Sequence, residues 1–486
     1  MSGLSPEALA LLQAEAHFRA AVPATAKRHL RISRKPLVIV PLGLAGEDGA
    51  VLALGMGRTR EDLELLVCPE PRKWNLQTRL LRDFSSRLLR YLDRRAADRE
   101  PAEVAPGWTK DVARRAPQIV APTPAAATLL QRVAERMVWQ RVDVGRPADP
   151  DMLRAGGWLW FFGERHELVE SDSLLLVATD AQLLHFVPPI STAEAAHLLA
   201  LNAALAPPPG SSAVAAARAV EHLTGSTLTT PEHDNRVLQP AIEAFNEASR
   251  EGASRAALRP LGAAIETAVR PAVEALYAAC HDALDRLRAL EPIPPVRSGG
   301  RRTIAERHAF TRHADFLARD PRFARADSLR RGLFLVEDAV TEQVRVLREA
   351  RWHDPLARAV ASMTGDALDG KVRAVRETTV QLQRRVQRLE LEVETPGPWR
   401  PVAGGQYELV WTETGFVFAV THVRPTPGGA STRITLRSTD RVRDALAVLP
   451  QGLRTGSDVA FVLFQREFPG LALPDDEPWM LAGPSS

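Results

Sequence analysis

Apolar runs and turn sequences alternate through the front of the chain and predict short strands. Residues 37–40 and 51–54 are apolar runs, and residues 46–49 between them read Gly-Glu-Asp-Gly, a turn composition. This arrangement predicts a hairpin with a slightly long loop. A third run, residues 63–68, ends before a proline-rich stretch and predicts a further strand.

Stretches with helical spacing lie between these runs and the next ones. Residues 77–92 and 124–137 place their apolar positions on one helical face, whereas residues 118–121 and 173–179 have the composition of buried strands. Because strands alternate with helices, residues 1–205 are expected to form an α/β domain that includes an amino-terminal helix.

Two segments of this domain have a less regular pattern. Residues 98–115 are polar and interrupted by proline, which predicts a loop. Residues 158–162 form the one dense aromatic cluster, and strand alternation would place Trp158 and Trp160 on one face. Such tryptophans either stack on nucleic-acid bases or pack in the core, and core packing is favoured.

The pattern becomes helical after a linker at residues 206–212, which is rich in Pro, Gly and Ser. Within residues 366–394, apolar positions are spaced alternately by three and four residues, as in a heptad seam. The seam consists of Val372, Val375, Thr379, Leu382, Val386, Leu389 and Val393. With residues 325–352 as its partner, it predicts an antiparallel coiled hairpin at the end of a helical domain over residues 213–395.

Short apolar runs and glycine-rich turns follow the heptad segment. They predict a small antiparallel β-barrel over residues 396–470 and a tail at residues 471–486. The expected fold class is therefore α+β multidomain, with an α/β amino-terminal domain, a helical middle that contains the coiled hairpin, and a small carboxy-terminal β-barrel.

Composition narrows the possible functions. The chain has 62 Lys and Arg against 59 Asp and Glu, so any nucleic-acid affinity must come from a local patch and not from the global field. Its two cysteines, Cys68 and Cys280, cannot build a disulfide framework or a zinc-binding pair. No apolar run reaches the ~18 residues of a membrane span. We expect a cytoplasmic protein with no membrane partner, no metal and no cofactor.

Arginines are concentrated in two segments that could contact phosphates. One is the heptad segment, where Glu377, Glu390, Glu392 and Glu394 could instead balance them into an ordinary solvated face. The other is a glycine-rich break near residue 300. The candidate nucleic-acid-binding residues are Arg297, Arg301, Arg302, Arg373, Arg376, Arg384, Arg385 and Arg388.

No motif of an established catalytic class is present, but one acidic and basic set has the order found in metal-dependent nucleases. Asp48, Glu70 and Lys73 surround the three predicted strands. Such enzymes need carboxylates that converge on a divalent cation and a lysine near the attacking water. Glu70 lies between two prolines beyond its strand, so the fit to this pattern is poor.

A long helix, a heptad helix and a small glycine-turned barrel follow one another over residues 326–465. This order resembles the stalk and barrel accessory region of superfamily 1B helicases, through Val372–Glu394 and then Gly404–Trp411. In that family the barrel rides on stalk helices and contacts nucleic acid. The resemblance implies an accessory subunit beside a separate helicase or ATPase, because no motor follows the barrel here. It transfers no catalytic residue.

Three functions are compatible with these patterns. The leading hypothesis is a non-catalytic component of a nucleic-acid-processing assembly, in repair or in defence against foreign DNA, that binds DNA or RNA through the basic segment. The second is a divergent metal-dependent nuclease built on Asp48, Glu70 and Lys73. The third is a scaffolding protein that forms oligomers through an open heptad seam.

Overall fold

The computed structural model describes residues 6–18, 21–44, 50–138, 148–165, 174–221, 231–293, 299–319, 348, 350–381, 385–410, 416–439 and 453–464. The first elements are α1 (Pro6–Phe18), β1 (Val22–Pro23), β2 (Leu37–Gly43), β3 (Val51–Gly57), β4 (Glu64–Val67), α2 (Trp74–Ala97), β5 (Arg99–Ala105), β6 (Trp108–Ala113), β7 (Ile119–Ala121), α3 (Pro124–Val138), α4 (Pro150–Gly163), β8 (Leu175–Val177), α5 (Ala178–Leu183) and β9 (Phe186–Val187).

A five-stranded mixed sheet is the centre of this region, with the strand order β4-β3-β2-β7-β8. The strands β2, β3 and β4 form an antiparallel meander, and β7 and β8 run parallel to β2. The predicted hairpin between residues 37–40 and 51–54 is confirmed. The strands β2 and β3 are buried along their whole length, so their continuous apolar runs match a sheet covered on both faces.

The next helices are α6 (Thr192–Ala195), α7 (Leu198–Leu205), α8 (Ala213–Glu221), α9 (Pro231–His233), α10 (Gln239–Arg250, after a π-helical turn), α11 (Arg255–Ala289), α12 (Gly299–Arg319) and α13 (Pro355–Ser362). Helices cover both faces of the sheet. One core joins the sheet to α2, α3, α4 and α12, and the other joins it to α10 and α11. Most of the predicted helical middle therefore packs on the α/β sheet and is not a separate domain. Residues 206–212 are a connection between α7 and α8, which pack together.

Two predictions for the front region are wrong. Residues 98–115 are mostly the β5–β6 hairpin and not a loop, because Pro106 and Gly107 form its two-residue turn with Gly107 at a φ of 72°. Residues 158–162 lie in helix α4 and not in a strand. The expected core packing of Trp158 is confirmed, since its ring stacks on Phe310 at 4.8 Å between centroids.

The carboxy-terminal strands are β10 (Ala367–Gln381), β11 (Arg385–Pro396), β12 (Gln406–Leu409), β13 (Val417–Pro425), β14 (Ser431–Ser438) and β15 (Asp458–Leu463). They close a six-stranded antiparallel barrel in the order β10-β11-β14-β13-β12-β15. Tyr407, Phe418 and Phe461 are among the fully buried side chains that fill it. The mixed fold class and the small barrel are confirmed, but the barrel begins at Ala367 and not at residue 396.

Residues 366–394, predicted as a heptad helix, are mostly the β-hairpin of β10 and β11, so the prediction of a coiled hairpin is wrong. A bulge in β10 between Val372 and Ala374 adds one residue to the strand. Because of this extra residue, Val372 and Val375 are three residues apart and still lie opposite Val393 and Leu391, which are two residues apart on β11. Val372, Leu389 and Val393 are buried inside the barrel. These three seam positions are therefore not open to a second copy of the chain. Its predicted partner, residues 325–352, lies almost entirely outside the described residues, as do Leu382 and the tail.

Candidate functional site

The structure brings together two members of the predicted nuclease set. Glu70 and Lys73 follow strand β4, and both side chains hydrogen-bond to the side-chain amide of Asn246 in α10. The Lys73 ammonium donates to the amide oxygen of Asn246 at 2.6 Å, and the amide nitrogen of Asn246 donates to the Glu70 carboxylate. Glu70 is buried and also accepts a backbone N–H from Arg72 at 3.1 Å. Asp48 lies outside the described residues. Among the residues that are described, no three His, Cys, Asp or Glu side chains group as metal ligands.

The predicted basic helix is replaced by the outer surface of the barrel, where cross-strand glutamates meet the arginines. Arg373 bonds Glu394 at 2.9 Å, and Arg376 lies 3.7 Å from Glu392. Arg388 donates to the backbone carbonyl of residue 439. Arg297 and Arg384 lie outside the described residues. The backbones of Arg301 and Arg302 belong to α12 and that of Arg385 to β11, but their side chains are not described.

A shallow depression on the barrel, which we call the barrel cleft, contains both signs of charge in equal number. It measures about 770 Å³. Its charged residues form the pairs Arg358–Asp369 at 3.1 Å, Lys371–Asp458 at 3.9 Å and Arg373–Glu394 at 2.9 Å. Each cation of the barrel cleft therefore has a carboxylate beside it, and the surface has no net attraction for an anion.

A second depression, on the α/β domain, has a different balance of charge. This arginine cleft measures about 260 Å³ and lies where the carboxy-terminal half of α2 crosses the ends of β2, β3 and β4. Its lining contains five guanidinium groups and two carboxylates. The lining residues are Leu37, Met56, Gly57, Arg58, Asp62, Glu64, Arg87, Arg90, Tyr91, Arg94 and Arg95.

The amphipathic pattern of α2 positions most of these arginines. Residues such as Phe84, Leu88 and Leu92 are buried against the sheet, so the opposite face of the helix points outward. Arg87, Arg90 and Arg94 are spaced by three and four residues, which places neighbouring guanidinium groups on one side of the helix.

The opposite wall of the arginine cleft is the connection from β3 to β4. Gly57 ends β3 just before this connection, and only glycine fits there because a Cβ atom would overlap the Tyr277 hydroxyl and Asp62. This close approach holds the connection, including Arg58 and Asp62, against α11.

Both carboxylates of the arginine cleft already have partners. Asp62 accepts the backbone N–H groups of Arg58 and Thr59 at 2.7 Å each and the Tyr277 hydroxyl at 3.1 Å. Burial alone would raise the pKa of Asp62, but these hydrogen bonds outweigh it and lower that pKa, so the carboxylate is ionised at neutral pH. Glu64 pairs with Arg87.

Four guanidinium groups remain without a carboxylate partner within the part of the chain that the structure describes. Arg90 and Arg94 are exposed, and Arg58 and Arg95 are half-buried. The guanidinium carbons of Arg58 and Arg95 lie 5.4 and 5.7 Å from the centre of the Tyr91 ring. The Nε of Arg58 is buried without a hydrogen-bond partner. Burial raises the pKa of Tyr91 although both guanidinium groups oppose the shift, so the phenol stays protonated and can donate a hydrogen bond.

This geometry suits an oxyanion. Guanidinium groups bind phosphate or carboxylate through charge-assisted, often bidentate hydrogen bonds. The volume of about 260 Å³ falls just below the ~300–1,000 Å³ of pockets that enclose a drug-sized molecule. It is sufficient for a phosphate with part of its sugar. The depression therefore fits one segment of a longer anionic chain that continues over the exposed side chains of Arg90 and Arg94.

A buried polar cluster links the amino-terminal segment to the helix that precedes the barrel. Asp354 accepts the backbone N–H of Ala26 at 2.9 Å and contacts Nε2 of His29 at 3.3 Å, while it also caps α13. The Nε2 of His185 accepts the backbone N–H of His29 at 3.0 Å, so Nδ1 carries the proton that His185 donates to Ala181. Burial lowers the pKa of His185 to about 4. The polar groups of this cluster are hydrogen-bonded to one another or to the nearby backbone, and we call it the Asp354 junction.

The two cysteines are buried and are not poised as nucleophiles. Burial raises the pKa of Cys68 to about 12 and raises that of Cys280 further. Both thiols are therefore protonated at neutral pH, whereas a nucleophilic cysteine reacts as the thiolate.

Comparison of the chain with protein-family models, with curated proteins and with solved structures finds no match. Within the described part of the chain, no helix has the length and apolar character that crossing a bilayer demands.

Proposed function

We propose that this protein is a nucleic-acid-binding component of a larger assembly, and that the arginine cleft holds the phosphate backbone. The observation that carries the proposal is the set of four arginines, Arg58, Arg90, Arg94 and Arg95, that have no carboxylate partner among the described residues. Charges on a protein surface are usually balanced nearby, as they are in the barrel cleft. A surplus of guanidinium groups around a small depression favours a ligand that supplies the missing negative charge.

The α2 helix gives this surface a useful repeat. Residues four apart on a helix are separated by about 6 Å along its axis. That interval is close to the distance between successive phosphates in an extended nucleic-acid strand. Arg90 and Arg94 can therefore each meet one phosphate while the half-buried Arg58 and Arg95 meet a third.

Fluorescence anisotropy with labelled DNA and RNA, at about 50 and about 200 mM salt, tests the proposal. We expect binding that weakens with salt. Log affinity falls as log salt concentration rises, and the double variant Arg90→Glu/Arg94→Glu should reduce the steepness of that fall by about two, because two phosphate contacts are lost. Both side chains are exposed, so the fold should tolerate the change.

The matched control is Arg373→Glu/Arg376→Glu, which also reverses two arginines, but on the barrel where each lies beside a glutamate. It should leave the salt slope of the full chain unchanged. Equal losses in the two double variants would contradict the assignment to the arginine cleft. Absence of binding at low salt would remove the proposal.

The finer parts of the proposal concern the partner and the pathway. A separate helicase or ATPase remains the expected partner, and repair or defence against foreign DNA remains the expected setting. The stalk helix on which the helicase resemblance depended is a β-hairpin, so its support is now the barrel alone. The nuclease alternative also remains a prediction, and cleavage of DNA with Mn²⁺ that is lost in Glu70→Gln would favour it.

A further inference from the structure

The β5–β6 hairpin leaves the end of α2 that carries the arginine cleft. Strand β5 begins at Arg99, two residues after the helix ends. The hairpin is anchored to α12, where Arg307 donates to the carbonyl of Ala113 at 2.7 Å and the Thr311 hydroxyl accepts the Ala113 N–H at 2.8 Å. The Gly107 turn lies at the opposite, exposed end of the hairpin.

Trp108 is presented at this exposed end. Strand alternation places Trp108, Lys110 and Val112 on one face of the hairpin. Val112 is buried, whereas Trp108 is 52% exposed. Large aromatic side chains carry too much apolar surface to be left open without a cost, and an exposed one often marks a binding surface.

Basic side chains lie beside this tryptophan. The Lys110 ammonium lies 4.5 Å from the centre of the Trp108 ring, and His308 of α12 meets the ring edge to face at 6.3 Å. Arg312 follows His308 by four residues on α12, which places the two side chains on one face of that helix. Partial burial lowers the pKa of His308, and the positive charges of Arg312 and Lys110 lower it further. The nearby Glu103 carboxylate accepts the Gly107 N–H at 2.7 Å and so serves the turn.

We propose that Trp108 is a stacking platform for an unpaired base, with Lys110 and Arg312 beside it to meet the adjoining phosphates. The proposal rests on the proposed function and gives it a preference for single-stranded nucleic acid. An apolar protein partner would leave these cations unmatched, whereas a nucleotide supplies both an aromatic face and an anion. In a duplex, the bases already stack on one another and are not available to Trp108.

The test measures binding of a single strand of about 20 nucleotides and of the matching duplex to the full chain. Trp108→Ala should weaken single-strand binding by about 5- to 150-fold, the range seen when one base loses its aromatic partner, and leave duplex binding unchanged. Trp108→Phe should recover part of the loss. Trp74→Ala is the matched control, because Trp74 is 50% exposed at the other end of α2 and should have no effect.

The outcomes separate this inference from the proposed function. If Trp108→Ala leaves single-strand binding intact while Arg90→Glu/Arg94→Glu weakens it, the stacking platform is wrong and the arginine cleft stands. Equal losses for single strand and duplex in Trp108→Ala would also overturn it, since stacking on a base would not be the cause. If neither form binds, the two proposals fail together.

Discussion

The arginine cleft and the barrel cleft contain similar side chains and differ in how those side chains are paired. On the barrel, Glu390, Glu392 and Glu394 point outward from strand β11, and arginines of the neighbouring strands β10 and β14 pair with them. On the α/β domain, the two carboxylates of the cleft are already bonded, one to a backbone turn and one to Arg87. The same residue type is thus neutralised in one place and in surplus in the other.

Secondary structure causes this difference. Alternation along a strand delivers a glutamate to the same face at every second position, and neighbouring strands bring arginines opposite within about 5 Å. Around Arg90 and Arg94, the acids at matching helical positions are Asp93 and Asp98, and they pair with Arg154 and Arg114 instead. The number of arginines in a segment therefore does not indicate an anion site unless the positions of the acids are also known.

The largest expected effect concerns the strand assignment that produces the pairing. Leu391 is fully buried in the barrel, so Leu391→Ala should lower the free energy of unfolding by about 2–5 kcal/mol. Leu391 is not a position of the heptad seam, and in a helix the change would cost little. Denaturant unfolding is the measurement. The neighbouring control Glu392→Ala should cost less than about 1 kcal/mol. A small effect of Leu391→Ala would contradict the strand and favour the predicted heptad helix.

The sequence held a signal for this strand that the heptad spacing concealed. Residues 389–394 alternate strictly as Leu-Glu-Leu-Glu-Val-Glu, which is the period of a half-buried strand. The three-residue step from Val372 to Val375 looked helical because a β-bulge is not visible in the sequence. By contrast, the prediction of the β2–β3 hairpin is correct, since two continuous apolar runs and a Gly-Glu-Asp-Gly turn sequence require no knowledge of other segments.

The candidate site could be predicted only in part. The spacing of Arg87, Arg90 and Arg94 along one face of a helix is visible in the sequence. That they face a depression is not, because the opposite wall depends on Tyr277, which bonds Asp62 across 215 residues of sequence. The Trp108 hairpin had a usable signal, the Pro106-Gly107 pair, within a stretch that otherwise has the composition of a loop.

A smaller effect is expected at the Asp354 junction, which connects the two regions. The pKa of His185 is about 4 in the folded protein and about 6.5 when unfolded, so the unfolded chain binds the extra proton between these values. Stability should therefore fall by about 3 kcal/mol as pH drops from about 6.5 to about 4, and this loss should level off below that. The groups that face His185 are His29, Arg28 and Asp354.

Urea unfolding at several pH values checks this prediction, with His185→Gln as the variant that cannot take up the proton. The variant should lose most of this slope but not all of it, because burial also lowers the pKa of His281, His308 and His353. Burial alone would raise the pKa of Asp354, but bonds from His29 and backbone N–H groups lower it, so its stabilisation is lost only at still lower pH. An unchanged slope in the variant would show that His185 is not the titrating group.

The smallest expected effect is the most direct test of the pairing argument. Glu392 lies between Arg376 at 3.7 Å and Arg433 at 3.5 Å, and Glu392→Gln removes its charge while keeping its shape. If pairing is what keeps the barrel arginines from binding nucleic acid, the variant should bind slightly more tightly at low salt, with a salt slope increased by about one. Asp93→Asn, on the helix that lines the arginine cleft, removes the closer of the two carboxylates beside Arg154 and should produce a similar gain. A gain from Asp93→Asn without one from Glu392→Gln would mean that position near the cleft, and not pairing, decides which arginines bind.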